Sequence, residues 1–432
     1  MSNSLVTPAG PFDRCSGATS SVATTLVSHI HMNRLQVSSV SLPIRYALIV
    51  PLVATLSFGA TPTRNKRKYH AAVAHKAVAA VTPMAARSAV VHKASFTPKP
   101  AAQQGPVIAG GPWTEPTYAD STLGDNVDGE DLEVRRAAVE ALGSFNGSVV
   151  VADPSTGRVL TMVNQKVALG TGFQPCSTVK VSVALAGLSE KTIQPANQFH
   201  LGAMRMDLTY ALAHSNNYYF ATLGEKLGFE KISYYSHLFG YGEKAGLNIA
   251  GEQPGHYPSA PPKNGGVGML TSFGEEISQT PLQLAALMSA IANGGTLYYL
   301  QYPRNQVEVQ TFVPRVKRRL DIDSLIPVIK PGMRGAVEFG TAHRARDDGA
   351  IAGKTGTCSE NHTHLGWFGS FNDEGPHKLV VVVLLTGGRP AIGPLAAGIA
   401  GEVYRRLGEQ NYFARSTPIT PAALISSQIC CR

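Results

Sequence analysis

Gln174-Pro175-Cys176-Ser177-Thr178-Val179-Lys180 is the stretch on which the reading of this chain turns. Pro175 suits the first turn of a helix, where its missing N–H goes unused. Beyond it Val179, Val181, Val183, Leu185, Ala186 and Leu188 form an apolar run with few breakers, the pattern of a buried helix. Ser177 then falls at the helix start and Lys180 one turn later on the same face. A serine hydroxyl is a poor nucleophile at neutral pH unless a base stands beside it. A lysine amine is such a base only if its pKa drops by roughly 3 units from about 10.4, which takes around 4 kcal/mol from burial and a second cation. Lys354, in Lys354-Thr355-Gly356-Thr357, is the candidate for that cation.

A lone Ser-x-x-Lys reads equally well as a helix cap beside a surface lysine. Here Ser177/Lys180 and Lys354-Thr355-Gly356 each occur once, and a Ser-x-Asn between them completes an acyl-serine signature. Ser-x-Asn recurs, among other places at Ser144-Phe145-Asn146, Ser215-Asn216-Asn217 and Ser370-Phe371-Asn372. Only Ser215 lies between the other two motifs, so chain order selects it. The plain reading of His214-Ser215-Asn216-Asn217 is a helix cap. The functional one is a serine that shuttles a proton and an amide, Asn217, that holds a substrate carbonyl.

The 432 residues, 44% of them hydrophobic, allow one large domain or two to three small ones with a sizeable core. Much of the net charge of +9 comes from Arg64, Lys66, Arg67, Lys68, Lys76, Arg87, Lys93 and Lys99, ahead of the globular region. These suit the anionic surface of a membrane or cell wall. No zinc-type Cys/His spacing, phosphate loop or aromatic-basic RNA motif is present, so the sequence argues against a nucleic-acid partner. Five cysteines (15, 176, 358, 430, 431) fit no neat framework. Cys176 and Cys358 flank two elements that should meet; ordinary buried thiols are the first reading and a disulfide the second.

Four regions are expected: an N-terminal segment 1–60, a tether 61–128, a globular domain 129–410 and a tail 411–432. Tyr46 to Ala60 is uncharged and mostly apolar, short for a membrane-spanning helix of about 20 residues and better matched to a signal-peptide core. A start at Met32 would give it an ordinary basic leader. The basic cluster Arg64 to Lys68 on its far side runs against the positive-inside rule if the remainder is outside; a short membrane anchor and a buried core strand are the alternatives. The Ala/Pro/Val/Thr-rich stretch that follows reads as a partly polyproline tether.

In the globular part, Glu130 to Leu142 reads as an amphipathic helix. Ser148 to Ala152 and Arg158 to Val163 form a strand pair around Asp153-Pro154-Ser155-Thr156-Gly157. Met204 to Ala213 and Tyr218 to Leu227 are expected helices, and Gly228 to Pro262 a loop-rich stretch. Thr280 to Ala292 is a helix closed by Asn293-Gly294-Gly295, and Pro331 to Gly340 one more short helix. Gly349 to Thr357 and Leu365 to Phe371 are strands, and Leu379 to Leu385, continuously apolar, should lie centrally in the sheet. Ile392 to Leu407 closes the domain as a helix. The order implies an α+β fold with an antiparallel sheet.

From about Gly147 to Leu407 the chain resembles the transpeptidase domain of penicillin-binding proteins. Ala152-Asp153-Pro154-Ser155-Thr156-Gly157, Gln279-Thr280-Pro281-Leu282-Gln283, Ile291-Ala292-Asn293-Gly294-Gly295, Gly340-Thr341-Ala342 and Ala352-Gly353-Lys354-Thr355-Gly356-Thr357 match it in order. The resemblance implies a sheet flanked by helices with an all-helical subdomain, as in serine β-lactamases and D,D-peptidases. It also implies recognition of D-Ala-D-Ala stem peptides of peptidoglycan, acylation of the serine, and trapping by β-lactams. On this chain Ser177 becomes the nucleophile and Lys180 its base, with Ser215 passing a proton to the leaving amine. Asn217 binds the substrate backbone and helps hold Lys180, and Lys354 keeps Lys180 neutral by repulsion. Thr355 and Thr357 bind the terminal carboxylate beside Gly356, and the backbone N–H groups of Ser177 and Thr357 form the oxyanion hole. No cofactor or metal is expected, since lysine and backbone dipoles supply base and electrophile. The resemblance places the protein outside the cytoplasm, in the periplasm or cell envelope.

Departures from the family pattern are Cys176 where glycine is usual, Cys358 after Thr357, Phe273-Gly274-Glu275-Glu276, and a short span between Ser177 and Ser215. Two other readings compete. One is a class D-like serine β-lactamase, prompted by Phe239-Gly240-Tyr241-Gly242 and Gly366-Trp367-Phe368; the other is a non-enzymatic β-lactam sensor.

Overall fold

The computed structural model describes residues 114–194, 199–201, 204–346, 350–373, 375 and 377–415. The apolar run Tyr46 to Ala60, the Met32 start and the tether as far as residue 113 lie outside them. Asp131 caps the first helix, α1 (Leu132–Leu142), by accepting from the N–H groups of Glu133 and Val134. The hairpin β1 (Gly147–Ala152) and β2 (Val159–Val163) follows, then the short α2 (Gln165–Leu169). A 3₁₀ turn, Cys176–Val179, leads directly into α3 (Lys180–Ser189).

The strands β3 (Phe199–Leu201) and β4 (Met204–Met206) pair with each other, ahead of α4 (Leu208–Ala213) and α5 (Asn217–Leu227). The single helix expected from Met204 to Ala213 is thus a strand and a shorter helix, with Asp207 capping the latter. The stretch expected as loop contains α6 (Phe229–Leu238). Next come α7 (Gly266–Phe273), α8 (Pro281–Ala292), β5 (Thr296–Tyr298), α9 (Gln306–Gln310) and β6 (Val316–Arg319). A capping box between Thr280 and Gln283 starts α8, every residue of which is buried. The last group is α10 (Ile326–Glu338), β7 (Ile351–Glu360), β8 (Thr363–Asn372), β9 (Val380–Gly387) and α11 (Gly393–Glu409). Pro331, the expected start of a short helix, lies inside α10.

The main sheet runs β2-β1-β9-β8-β7, all antiparallel, so β9 is the middle strand and β7 an edge. Its apolar run is continuous because both faces are covered. Val380, Val382 and Leu384 enter one core with α3, α5 and α8, while Val381, Val383 and Leu385 enter the other with α1 and α11. This is the expected α+β architecture, with the helices α3 to α8 massed on one side of the sheet.

The packed region begins earlier than the expected boundary at 129. Thr114 N–H donates to His362 O (3.0 Å), Asn146 N–H to Thr117 O (2.9 Å), and Arg135 pairs with Asp125 at 2.7 Å, both nearly buried. It also runs past 410, since Tyr412 hydroxyl donates to Asp131 (2.9 Å). Among the described residues no helix is long and apolar enough to cross a membrane.

Candidate active site

Pro175, in helical conformation (φ −69°), opens the 3₁₀ turn, and the Thr178 hydroxyl donates back to its carbonyl (2.7 Å). Residues three apart eclipse in such a turn. Ser177 and Lys180 accordingly stand one above the other, with Lys180 Nζ donating to Ser177 Oγ at 2.8 Å. Ser177 is 8% exposed and Lys180 fully buried. Ser215 O (2.9 Å), Ser215 Oγ (3.2 Å) and Asn217 Oδ1 also lie within hydrogen-bond reach of the amine, more acceptors than its N–H groups can serve at once. Ser177, Ser215 and Asn217, all selected from the sequence, thus converge on the Lys180 nitrogen.

The geometry separates cap from function within Ser215-Asn216-Asn217. Asn216 caps α5, its Oδ1 accepting from Tyr219 N–H (2.8 Å), while the residues on either side turn to Lys180. Ser215 holds a left-handed backbone (φ 55°), a conformation uncommon outside glycine and worth noting where it carries a functional side chain. The rival Ser-x-Asn matches serve the sheet instead. Asn146 donates to Pro116 O, Ser370 to Val381 O, and Asn372 to His377 O.

The edge strand β7 brings Lys354 to the same place. Lys354 is fully buried and donates to Thr355 O (3.0 Å). Gly356 owes its identity to close packing: a Cβ there would lie 2.9 Å from Pro175 O and 3.2 Å from Cys176 Cβ. The glycine lets the turn that carries Ser177 approach the strand closely. Gly274, with φ +68°, packs on the same turn, where a Cβ would strike Pro175 Cγ at 2.4 Å.

Burial lowers the Lys180 ammonium to about 7, and lowers Lys354 well below its usual range, with the Lys180 charge as a second cause. Burial is the cause of the Lys180 shift and the first cause of the Lys354 one. Thr355 Oγ1 is 2.6 Å from Thr341 Oγ1, and Thr357 Oγ1 accepts from Gly393 N–H (2.8 Å) at the start of α11, leaving its own proton to donate.

Two features escaped the sequence reading, and a third was only its second choice. Thr341 lies in a matched motif but was assigned no role. The rings of Phe220 and Phe273 flank Lys180 Nζ at 5.8 and 5.9 Å, excluding water from the amine. Cys176 and Cys358 form a disulfide, Cα to Cα 5.6 Å, where separate buried thiols had been the first reading. Among the described residues no cluster of His, Cys, Asp and Glu could hold a metal.

Residues 147–406 match the family described as Penicillin binding protein transpeptidase domain, and the chain belongs to that family. It is similar to Stage V sporulation protein D of Bacillus subtilis, 28% identical over 280 residues, which are 57% of this chain and 43% of that protein. The penicillin-binding protein PbpB of Mycolicibacterium smegmatis is 23% identical over 294 residues, 57% of this chain and 45% of its own. A third relative, the peptidoglycan D,D-transpeptidase MrdA of Haemophilus influenzae, is 25% identical over 353 residues, covering 62% of this chain and 54% of that one. The chain thus spans about half the length of the curated relatives it matches. The crystal structure of Pseudomonas aeruginosa PBP2 in complex with WCK 5153 shares the fold, with a TM-score of 0.54 at 24% identity, covering 65% of this chain and 77% of that one. So does the D,D-transpeptidase domain of a peptidoglycan glycosyltransferase from Eggerthella lenta (TM-score 0.51, 20% identity, 65% and 82% covered).

Proposed function

We propose that this protein is an acyl-serine D,D-transpeptidase or D,D-carboxypeptidase that acts on D-Ala-D-Ala stem peptides of peptidoglycan and is acylated by β-lactams. The observation that carries this is the Lys180 amine, its pKa lowered to about 7, within hydrogen-bond reach of the Ser177 hydroxyl at 2.8 Å. At neutral pH a large fraction of that amine is free to accept a proton.

The steps follow from the geometry. Lys180 takes the proton of Ser177 as Oγ attacks the penultimate D-Ala carbonyl, and the backbone N–H groups of Ser177 and Thr357 receive the developing negative charge. Each such donor is typically worth about 3–4 kcal/mol in the transition state. The C–N bond breaks, and the proton passes from Lys180 through Ser215, 3.2 Å away, to the departing D-alanine amine. Asn217 holds the substrate backbone. A substrate carboxylate beside Thr355 and Thr357 favours a protonated Lys354, which in turn keeps Lys180 neutral. An amine then takes the acyl group in transpeptidation, or water does in carboxypeptidation.

The relatives' names support an envelope setting, and we place the protein outside the cytoplasm with the segment 1–60 as signal peptide or short anchor. The motifs that prompted a class D lactamase reading have structural work instead. Tyr241 is buried, and fully buried Trp367 donates to Gln174 O (2.9 Å). Incubation with a labelled penicillin, following the adduct and its lifetime, tests the proposal. A long-lived adduct on Ser177 is expected. Rapid turnover would make the protein a lactamase, and unchanged labelling of Ser177→Ala would refute the assignment.

A further inference from the structure

The sheet alone does not fix the gap between the two oxyanion donors. Ser177 sits on a helix entry, Thr357 on the outer edge of β7, and the ladder partner of β7 is β8 on its other side. The residues before Ser177 nevertheless lie along that outer edge in a definite offset. Gln174 N–H donates to the Glu360 carboxylate (2.9 Å), and Cys176 is bonded to Cys358. These ties pair 174 with 360 and 176 with 358, an antiparallel alignment that brings 177 opposite 357. The bridge is therefore the covalent step immediately next to the two donors.

The cysteine is also held where its backbone is unfavourable. Cys176 has φ +51° and is fully buried, a conformation that favours glycine. Such strain persists only where surrounding structure over-determines it. The bond to β7 is a constraint of that kind, acting on the residue that immediately precedes the nucleophile.

Resting on the proposed acyl-serine function, we infer that Cys176 and Cys358 are positioning residues. Their bond sets the separation of the Ser177 and Thr357 N–H groups, so the rate of serine acylation depends on its integrity. The two cysteines do not touch the substrate; they act through their neighbours. A displacement of about 1 Å between such donors is enough to cost on the order of 10- to 100-fold in rate.

The test compares the full chain oxidised, reduced with dithiothreitol, and carrying Cys358→Ser. Reduction converts the disulfide to two thiols while the dithiol closes into its own cyclic disulfide. A fluorescent penicillin reports the limiting acylation rate, the affinity of the non-covalent complex and the pH midpoint of acylation, with melting temperature measured alongside. We expect the limiting rate to fall by about 10-fold or more in the reduced protein and in Cys358→Ser, with affinity and pH midpoint unmoved. Reoxidation should restore the rate in wild type only. A merely structural bridge would move the melting temperature and leave the limiting rate of the folded protein unchanged, which overturns the inference. Should the reduced protein melt below the assay temperature, Cys176→Gly/Cys358→Ser decides, because glycine accepts the left-handed backbone without the tie. A rate equal to that of oxidised wild type counts against positioning, and a slowed one supports it. Failure of oxidised wild type to acquire any label on Ser177 is a different result: it removes the functional reading and this inference with it.

Discussion

At the residue scale, the site is a lysine whose burial has been made tolerable by acceptors. Lys180 reaches Ser177 Oγ, Ser215 O and Oγ, and Asn217 Oδ1, yet desolvation still brings it to about 7. Between about pH 7 and 10.5 the unfolded chain keeps a proton on this amine that the folded chain has lost, so stability rises with pH across that window. Below about 7 both states are protonated and the cost of burial is present in full. Urea titrations should therefore show wild type gaining stability from pH 7 to 9, and Lys180→Met losing a large share of that gain. The whole shift is worth roughly 5 kcal/mol at about 1.4 kcal/mol per unit. Lys354 contributes in the same direction, so some slope should remain; an identical slope in the variant would contradict the shift. Asn216→Ala should cost about 1 kcal/mol through loss of the α5 cap, measured by the same titrations. Ser215→Ala should instead slow acylation at nearly unchanged stability. The Ser177/Lys180 pair was legible because a spacing of three stacks side chains in any helical turn. The cysteine pair was legible only as a second reading, through the motifs it flanks, because a bond across 182 residues leaves no local pattern.

At the scale of elements, the contact between β7 and the 3₁₀ turn is the step on which the site depends, and Gly356 is its narrowest point. Gly356→Ala puts a methyl 2.9 Å from Pro175 O, which requires strand or turn to give way. A loss of about 1–3 kcal/mol is expected, with a larger proportional loss in acylation rate; normal acylation would show that the approach is less tight than described. The strands were readable where burial made them so. The run Leu379 to Leu385 was expected to be central, and β9 is the middle strand. Helices with weak patterns were not readable. In α6 the aromatic and polar residues of Phe229-Glu230-Lys231-Ile232-Ser233-Tyr234-Tyr235 follow Gly228, so the stretch looks like loop until Ile232 and Ser236 are seen to be buried. Met204 to Met206 continued the apolar pattern of α4, but Asp207 caps that helix and confines it to Leu208–Ala213.

At the scale of the whole molecule, the domain is closed by residues that composition assigned to a tether. Asp125 and Glu130 both face Arg135, which also donates to Met162 O (3.0 Å). Removing residues 1–113 should leave melting and penicillin acylation intact. Removing 1–128 strips Asp125 from a nearly buried arginine, a change that typically costs about 3–5 kcal/mol. Thermal unfolding of the two truncations checks this, and equal melting temperatures would contradict it. Composition misplaced the boundary because Thr114 to Asp128 packs through backbone and polar ties rather than an apolar face.

In the proposed mechanism one hydroxyl, Ser177, and one half-deprotonated lysine, Lys180, perform the chemistry. The rate of β-lactam acylation against pH, with the adduct mapped by peptide mass spectrometry, tests it most directly. The label should fall on the peptide containing Ser177, and the rate should climb through a midpoint near pH 7 and be lost by orders of magnitude in Lys180→Ala. A rate still rising toward pH 10, as for an ordinary exposed lysine, or a label on another residue, would contradict it.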